Sequence, residues 1–301
     1  MDEIIKIENI SQLYQMMYQR KPLHPLIGVI DFSKDNIAAY NEMKVSMGFY
    51  SVMFKNLCPG SMRYGRNYYD FQEGTLSFTA PNQVVVMENL EDSDDVNGWA
   101  LIFHPDLIRG TSLNAKMKDY SFFSYDLYEA LHLSEKEQLK LGEIIQDIEG
   151  ELKQNIDKHS RTLIVSAIEL LLNYCNRYYD RQFITRAVKN KDIISDFDRL
   201  LKDYFESDEL QNLGIPSIKY FAEQLHLSSN YLSDLLKKET GKRGTEHIQY
   251  HVIELAKDKL LSSSVSVSEI AYDLGFEYPQ YFSKMFKKNT GMTPVEYRNL
   301  N

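Results

Sequence analysis

One stretch of this chain occurs twice. Tyr231-Leu232-Ser233-Asp234-Leu235-Leu236-Lys237-Lys238-Glu239-Thr240-Gly241 returns fifty residues later as Tyr281-Phe282-Ser283-Lys284-Met285-Phe286-Lys287-Lys288-Asn289-Thr290-Gly291. Each copy follows a second matching segment, Phe221-Ala222-Glu223-Gln224-Leu225 in one and Ile270-Ala271-Tyr272-Asp273-Leu274 in the other. The offset is 49 upstream and 50 downstream, so a one-residue slip falls between the segments. Each unit therefore reads as helix, tight turn, helix, the plan of a helix-turn-helix DNA reader. Two readers on one chain can occupy two successive major grooves.

Local chemistry supports both units. Ser266-Val267-Ser268-Glu269 matches a capping box, in which a hydroxyl and a carboxylate satisfy opposite orphan amides at a helix start. Thr293-Pro294-Val295-Glu296 matches another, with proline at the first helical position. Gly275 stands at the second turn, where left-handed backbone is needed. His226 holds the matching place in the first unit, which implies strain or a different path. Ala222 and Ala271 let the two helices of each unit cross closely. Between the units, 246–261 reads as one helix with Ile248, Val252, Leu255, Ala256 and Leu260 along its inner side. At 1.5 Å per residue it spans roughly 24 Å, enough to set the readers about one DNA turn apart, near 34 Å.

Ile270-Ala271, Gly275-Phe276, Tyr281 to Lys288, Thr290-Gly291, Thr293-Pro294 and Tyr297-Arg298 occur in an order and spacing that resemble the DNA-binding domain of the AraC/XylS family of bacterial transcription regulators. The resemblance covers residues 192–301, about a third of the chain. It implies that the second helix of each unit reads bases: Gln280, Ser283 and Lys284 in the second reader, Asn230, Ser233 and Asp234 in the first. Gln suits adenine and Lys suits guanine O6/N7. Asp234 departs from the family, where arginine is common; aspartate accepts from cytosine N4 but repels phosphate. Lys237, Lys238, Lys287 and Lys288 are the phosphate candidates, and their alternative reading is a solvated helix face. Leu235, Leu236, Phe282, Met285 and Phe286 read as core.

A net charge of −9 looks wrong for such a chain until it is divided. From Leu210 to Asn301 there are 11 Lys+Arg against 10 Asp+Glu, leaving 23 against 33 for the front. Gln280 to Thr290 holds three lysines and no acid. Local charge, not the global balance, decides phosphate attraction. A near-neutral tail still predicts modest non-specific affinity and a shallow salt slope.

The first ~125 residues read mostly as strands. Residues 48–54, 75–79, 83–87 and 99–103 are short, β-branched or aromatic, and bounded by turn signals such as Pro81-Asn82, Asn97-Gly98 and His104-Pro105. That spacing suggests an antiparallel sandwich or barrel, and the family resemblance implies a cupin-like β-barrel. Leu141, Ile144, Ile145, Ile148 and Leu152 form one helical stripe, and Ile164, Ile168, Leu171, Leu172 and Cys175 a second. The polar residues 155–160 between them predict a helical hairpin that either packs on the β-domain or seams a dimer. Residues 173–191 lack clear period, and a new helix follows with Ile194, Phe197, Leu200, Leu201, Tyr204 and Phe205 on one face. The fold class is thus α+β and multidomain: residues 1–125 a cupin-like regulatory domain, 126–191 a hairpin and linker, 192–301 a seven-helix DNA-binding tail.

The aromatic-rich front would suit a small sugar, aromatic or lipid-like effector, with His24, Tyr50, Arg63, Tyr68 and Trp99 as candidates; the plain alternative is ordinary core. Arg66 would add charge for an anion. No metal box or cofactor site is expected. His24 and His104 are too scattered for a cupin metal. His247 and His251 have i, i+4 spacing but lack the zincin glutamate, Ile248 standing in its place. Residues 60–67 have P-loop glycine spacing without Lys-Ser/Thr. No nucleophile–base arrangement is identifiable, so an enzyme is not expected. Cys58 and Cys175 read as reduced thiols, and no apolar run reaches the roughly 20 residues of a membrane span. The N-terminus shows no secretory signal.

The expectation is a cytoplasmic, homodimeric transcription regulator on promoter DNA, meeting RNA polymerase as an activator and controlled by its front domain. One alternative is a small-molecule sensor with low DNA affinity until ligand or partner binds. Another is a barrel enzyme with an appended DNA-binding domain.

Overall fold

The computed structural model describes residues 4–35, 43–56, 63–64, 67–68, 74–87, 97–125, 129–155, 157–185, 187–207 and 209–299. It divides into two compact units, 1–185 and 186–301.

The front unit is built on two sheets. β1 (Ile4–Ile7), β3 (Met43–Met47) and β8 (Val84–Met87) form one; β2 (Ile27–Asp31), β4 (Tyr50–Asn56), β7 (Thr75–Thr79), β9 (Asn97–Phe103) and β10 (Leu131–His132) form the other, in the order β10-β7-β4-β9-β2. A two-stranded pair, β5 (Arg63–Tyr64) and β6 (Asn67–Tyr68), stands apart. Among the described residues these sheets are open, with β10 and β2 as separate edges, so the expected cupin-like barrel is not closed. Nor is the pairing wholly antiparallel, because β1 runs parallel to β3.

Alternation decides which side chains go where. Ala100 and Ile102 of β9 join Ile30, Val45, Met47 and Phe49 in a core completed by α1 (Ile10–Tyr18). Within a stretch expected to be mostly strand, Ile10, Leu13, Tyr14 and Met17 make a buried i, i+3, i+4, i+7 stripe. Asn9 and Gln12 cap it reciprocally, at 3.0 and 3.3 Å. The opposite face of β9 presents Phe103, which stacks on Tyr50 at 5.0 Å. Asn97-Gly98, expected to be a turn, instead begins β9. A Cβ on Gly98 would lie 2.1 Å from the Phe54 carbonyl oxygen, so glycine serves close strand approach there.

Two short helices, α2 (Pro105–Ile108) and α3 (Ser112–Lys116), lead to the hairpin of α4 (Glu135–Lys153) and α5 (Ser160–Thr185). Both expected stripes are buried throughout. α5 runs on through the stretch that had no readable period, because Tyr178, Tyr179 and Phe183 continue its buried face. Tyr179 packs on Phe78 of β7 and stacks on Phe122 at 5.5 Å. Arg181 donates to Glu137 at 2.8 Å and to the His132 carbonyl at 2.6 Å, tying α5 to α4 and β10. The hairpin therefore packs on the β-domain. Cys175 lies in this core, where burial pushes its thiol up and disfavours the thiolate; Cys58 lies outside the described residues.

The second unit is all helix. It comprises α6 (Ala187–Glu206), α7 (Glu209–Leu213), α8 (Ile218–Gln224), α9 (Ser229–Thr240), α10 (Gly244–Ser262), α11 (Val267–Asp273), α12 (Pro279–Thr290) and α13 (Pro294–Arg298). The additional helix over the expected seven is α7, fixed by a 2.8 Å bond from the Tyr220 hydroxyl to Glu209.

Candidate nucleic-acid interface

The sequence repeat is also a repeat of hydrogen bonds. After α8 the Leu227 amide donates to the Ala222 carbonyl at 2.8 Å; after α11 the Phe276 amide donates to Ala271 at 3.0 Å. Gly275 takes φ +79°, and His226, its counterpart, is held at φ +55°. At the far ends, Thr240 and Thr290 donate back to Leu236 and Phe286 carbonyls at 2.7 and 2.8 Å, and Gly241 and Gly291 follow at φ +77° and +81°. The capping boxes at Ser266–Glu269 and Thr293–Glu296 form as expected, each worth about 1 kcal/mol. In the first unit Arg243 stands where Thr293 does. Only the Glu246 half of that box survives, at 2.7 Å, since a guanidinium cannot accept.

Each second helix separates a buried face from a more exposed polar face that holds the candidate base-reading residues. In α9, Tyr231, Leu232, Leu235 and Leu236 are buried; in α12, Phe282 and Phe286 are, with Met285 half-buried. Asn230, Ser233, Asp234 and Lys237 fall at i, i+3, i+4, i+7 on the other side of α9, and Gln280, Ser283, Lys284 and Lys287 repeat that stripe on α12. Lys238 and Lys288 lie one turn beyond Asp234 and Lys284. The seven lysine and amide side chains Asn230, Lys237, Lys238, Gln280, Lys284, Lys287 and Lys288 are exposed; Ser233, Asp234 and Ser283 are half-buried.

The two units have separate cores, joined by α10 and by residues that touch both. α10, 19 residues and about 28 Å long, packs Ile248 and Val252 into the first reader's core and Ile253, Ala256 and Leu260 into the second's. Leu255, Phe276 and Met285 touch both cores. Arg298 donates to the Leu260 and Val265 carbonyls at 3.3 and 2.6 Å, and Tyr297 packs on Phe286 at 5.4 Å. Tyr297-Arg298 thus serves the core of the second reader.

His247 and His251 are used in packing. His247 Nε2 is hydrogen-bonded to Thr240 Oγ1 at 2.8 Å and meets Phe197 edge-on; His251 lies 4.8 Å from Phe205. Burial holds both imidazoles below their ordinary value. Among the described residues no cluster of three or more His, Cys, Asp or Glu side chains could hold a metal ion.

Of the front candidates, Tyr50 and Trp99 lie apart. Tyr50 is half-buried against Phe103 and Phe123, and Trp99 lies 5.8 Å from Phe54, four positions along the same ladder or about 13 Å away. His24 Nδ1 accepts from the Leu26 amide at 3.1 Å. Arg63 and Tyr68 pair across β5 and β6, and their side chains, like Arg66 altogether, lie outside the described residues. Two features escaped the sequence reading. One is Gly214, whose role depends on a residue far along the chain; the other is the exposure of Tyr278 and Tyr281, which the identity of Tyr231 and Tyr281 concealed.

Two helix-turn-helix units in one helical body have the architecture of a DNA-binding domain. Residues 221–300 match the family model described as a helix-turn-helix domain. It is 42% identical over 95 residues to the transcriptional regulatory protein YesN of Bacillus subtilis, covering 31% of this chain and 26% of YesN. It is 30% identical over 156 residues to the HTH-type transcriptional regulator YijO of Escherichia coli, covering 52% and 51%. The solved C-terminal domain of the two-component response regulator yesN from Fusobacterium nucleatum is 33% identical, with a TM-score of 0.31, over 34% of this chain and 97% of that one. The chain thus spans at most about half the length of these two curated relatives.

Proposed function

We propose that this chain is a sequence-specific regulator that reads two adjacent major grooves on one face of promoter DNA. The observation that carries the reading is the repeated stripe. Gln280, Ser283 and Lys284 on α12 match Asn230, Ser233 and Asp234 on α9, each opposite a buried face and each followed by paired lysines. Lysine and glutamine reach guanine and adenine edges; Lys237, Lys238, Lys287 and Lys288 meet phosphates. Because α10 enters both cores, the two stripes keep one spacing, and DNA that does not match it must bend.

In this reading the front unit controls the tail, as a cytoplasmic homodimer answering a small effector, and bound protein activates by meeting RNA polymerase. The domain limits 1–125, 126–191 and 192–301 belong to the same proposal. Enrichment of genomic fragments on the full-length protein, set beside Lys284→Glu, tests it. A two-block motif lost in the variant supports the assignment; a motif retained at full affinity overturns it.

A further inference from the structure

The repeat treats Tyr231 and Tyr281 as equivalent, but their surroundings differ. Tyr231 is 5% exposed, whereas Tyr281 is 62% exposed. Tyr278, which precedes α12, is 47% exposed and meets Tyr281 edge-on with ring centroids 5.8 Å apart. A pair of aromatic rings standing in water beside a helix needs a reason, since each would bury 150–250 Å² in a core. Tyr281 lies one turn before Lys284 and two turns before Lys288, so the three share one edge of the reading stripe. That edge carries cations and an amphipathic ring with a hydroxyl donor. The combination suits a sugar–phosphate wall, where the ring covers deoxyribose and the hydroxyl donates to phosphate.

We propose that Tyr281, braced by Tyr278, contacts the DNA backbone at the rim of the groove read by α12 and anchors that reader without regard to sequence. The first reader lacks this anchor because the protein itself covers Tyr231. Binding is therefore uneven: the second reader holds the duplex and the first refines register. The inference rests on α12 being a reader.

The test titrates the full chain with its enriched operator duplex and with single-base-pair variants of it. Tyr281→Phe removes only the hydroxyl and Tyr281→Ala also the ring; because the side chain is exposed, both variants keep the helical core, which thermal unfolding verifies. The expected result is about tenfold weaker binding for Tyr281→Phe, the ordinary loss of a hydrogen bond to a charged group. The loss is equal across the base variants, and larger for Tyr281→Ala. Replacing the contacted phosphate with a neutral methylphosphonate weakens the wild type and leaves Tyr281→Phe unchanged. Wild-type affinity in both tyrosine variants overturns the proposal. So does an altered ranking of base variants, which would make Tyr281 a base reader. Normal DNA affinity with lost transcription also overturns it, assigning the pair to a protein partner. Operator binding that survives Lys284→Glu is a separate outcome, and removes α12 as a reader.

Discussion

Gly214 and Gly275 meet backbone to backbone. They stand at φ +80° and +79°, and a Cβ built on Gly275 would lie 2.9 Å from the Gly214 Cα and 3.1 Å from the Ile215 amide nitrogen. The Tyr204 hydroxyl holds the Gly214 carbonyl at 2.7 Å, so the loop entering the first reader is fixed against the turn of the second. This contact, with α10, turns two copies of a motif into one body.

Gly275→Ala separates conformational strain from this contact. Alanine at any left-handed position costs about 1–2 kcal/mol. At Gly241, φ +77°, nothing lies within 4 Å of an added Cβ, so Gly241→Ala carries the strain alone. Gly275→Ala carries the clash as well. Thermal unfolding should show a clearly larger loss for Gly275→Ala; equal losses would mean the Gly214 contact yields freely.

His226→Gly should stabilise the tail by about 0.5–1 kcal/mol. The residue is exposed and held at φ +55°, a conformation glycine adopts without steric penalty. Denaturant titration measures the change, and a lower midpoint would show that the imidazole contributes more than its backbone strain removes.

Acid should weaken the tail. Burial lowers the folded-state pKa of His247 and His251 below 6.5; Asp198 and Glu246 oppose the shift at His247, Lys242 adds to it, and Glu206 opposes it at His251. The unfolded chain therefore takes up protons first as pH falls. Stability is full above about 6.5 and is lost as pH drops below it. Melting temperatures between pH 7.5 and 5.5 check this, and His247→Gln should flatten the slope. A stability that rises on acidification contradicts it.

Asp234→Asn should raise overall DNA affinity severalfold and reduce discrimination at one base pair. The side chain sits in the stripe of α9 proposed to read bases, where its charge would repel phosphate while its carboxylate would suit cytosine N4. Affinities on the operator and its base-pair variants measure both effects. Unchanged discrimination would remove Asp234 from the reading set.

Much of the tail was legible because its information is local. Capping boxes, the Gly275 turn and the buried stripes of α9, α10 and α12 each follow from residues within a few turns of one another. Thr75–Thr79 was equally plain, since Leu76 and Phe78 alternate inward. The misses have long-range causes. The parallel pairing of Ile4–Ile7 with Lys44–Met47 joins segments forty residues apart, and no local pattern announces it. Gly98 carries a turn signal, but the Phe54 carbonyl decides its role. α1 was different: its stripe and Asn9–Gln12 cap were readable, and the strand-rich neighbourhood masked them. Gly214 gains meaning only from Gly275. Tyr281 was read as a copy of Tyr231, and exposure is what separates them.

The central claim is that α9 and α12 act as two readers at one fixed spacing. Hydroxyl-radical footprinting of the full-length protein on its enriched operator tests it most directly. Two readers at a fixed spacing should give two protected patches on one face of the duplex, about 10–10.5 base pairs apart. Lys284→Glu should erase the patch assigned to α12. A single protected patch in the wild type, or two patches whose separation varies between operators, would contradict it.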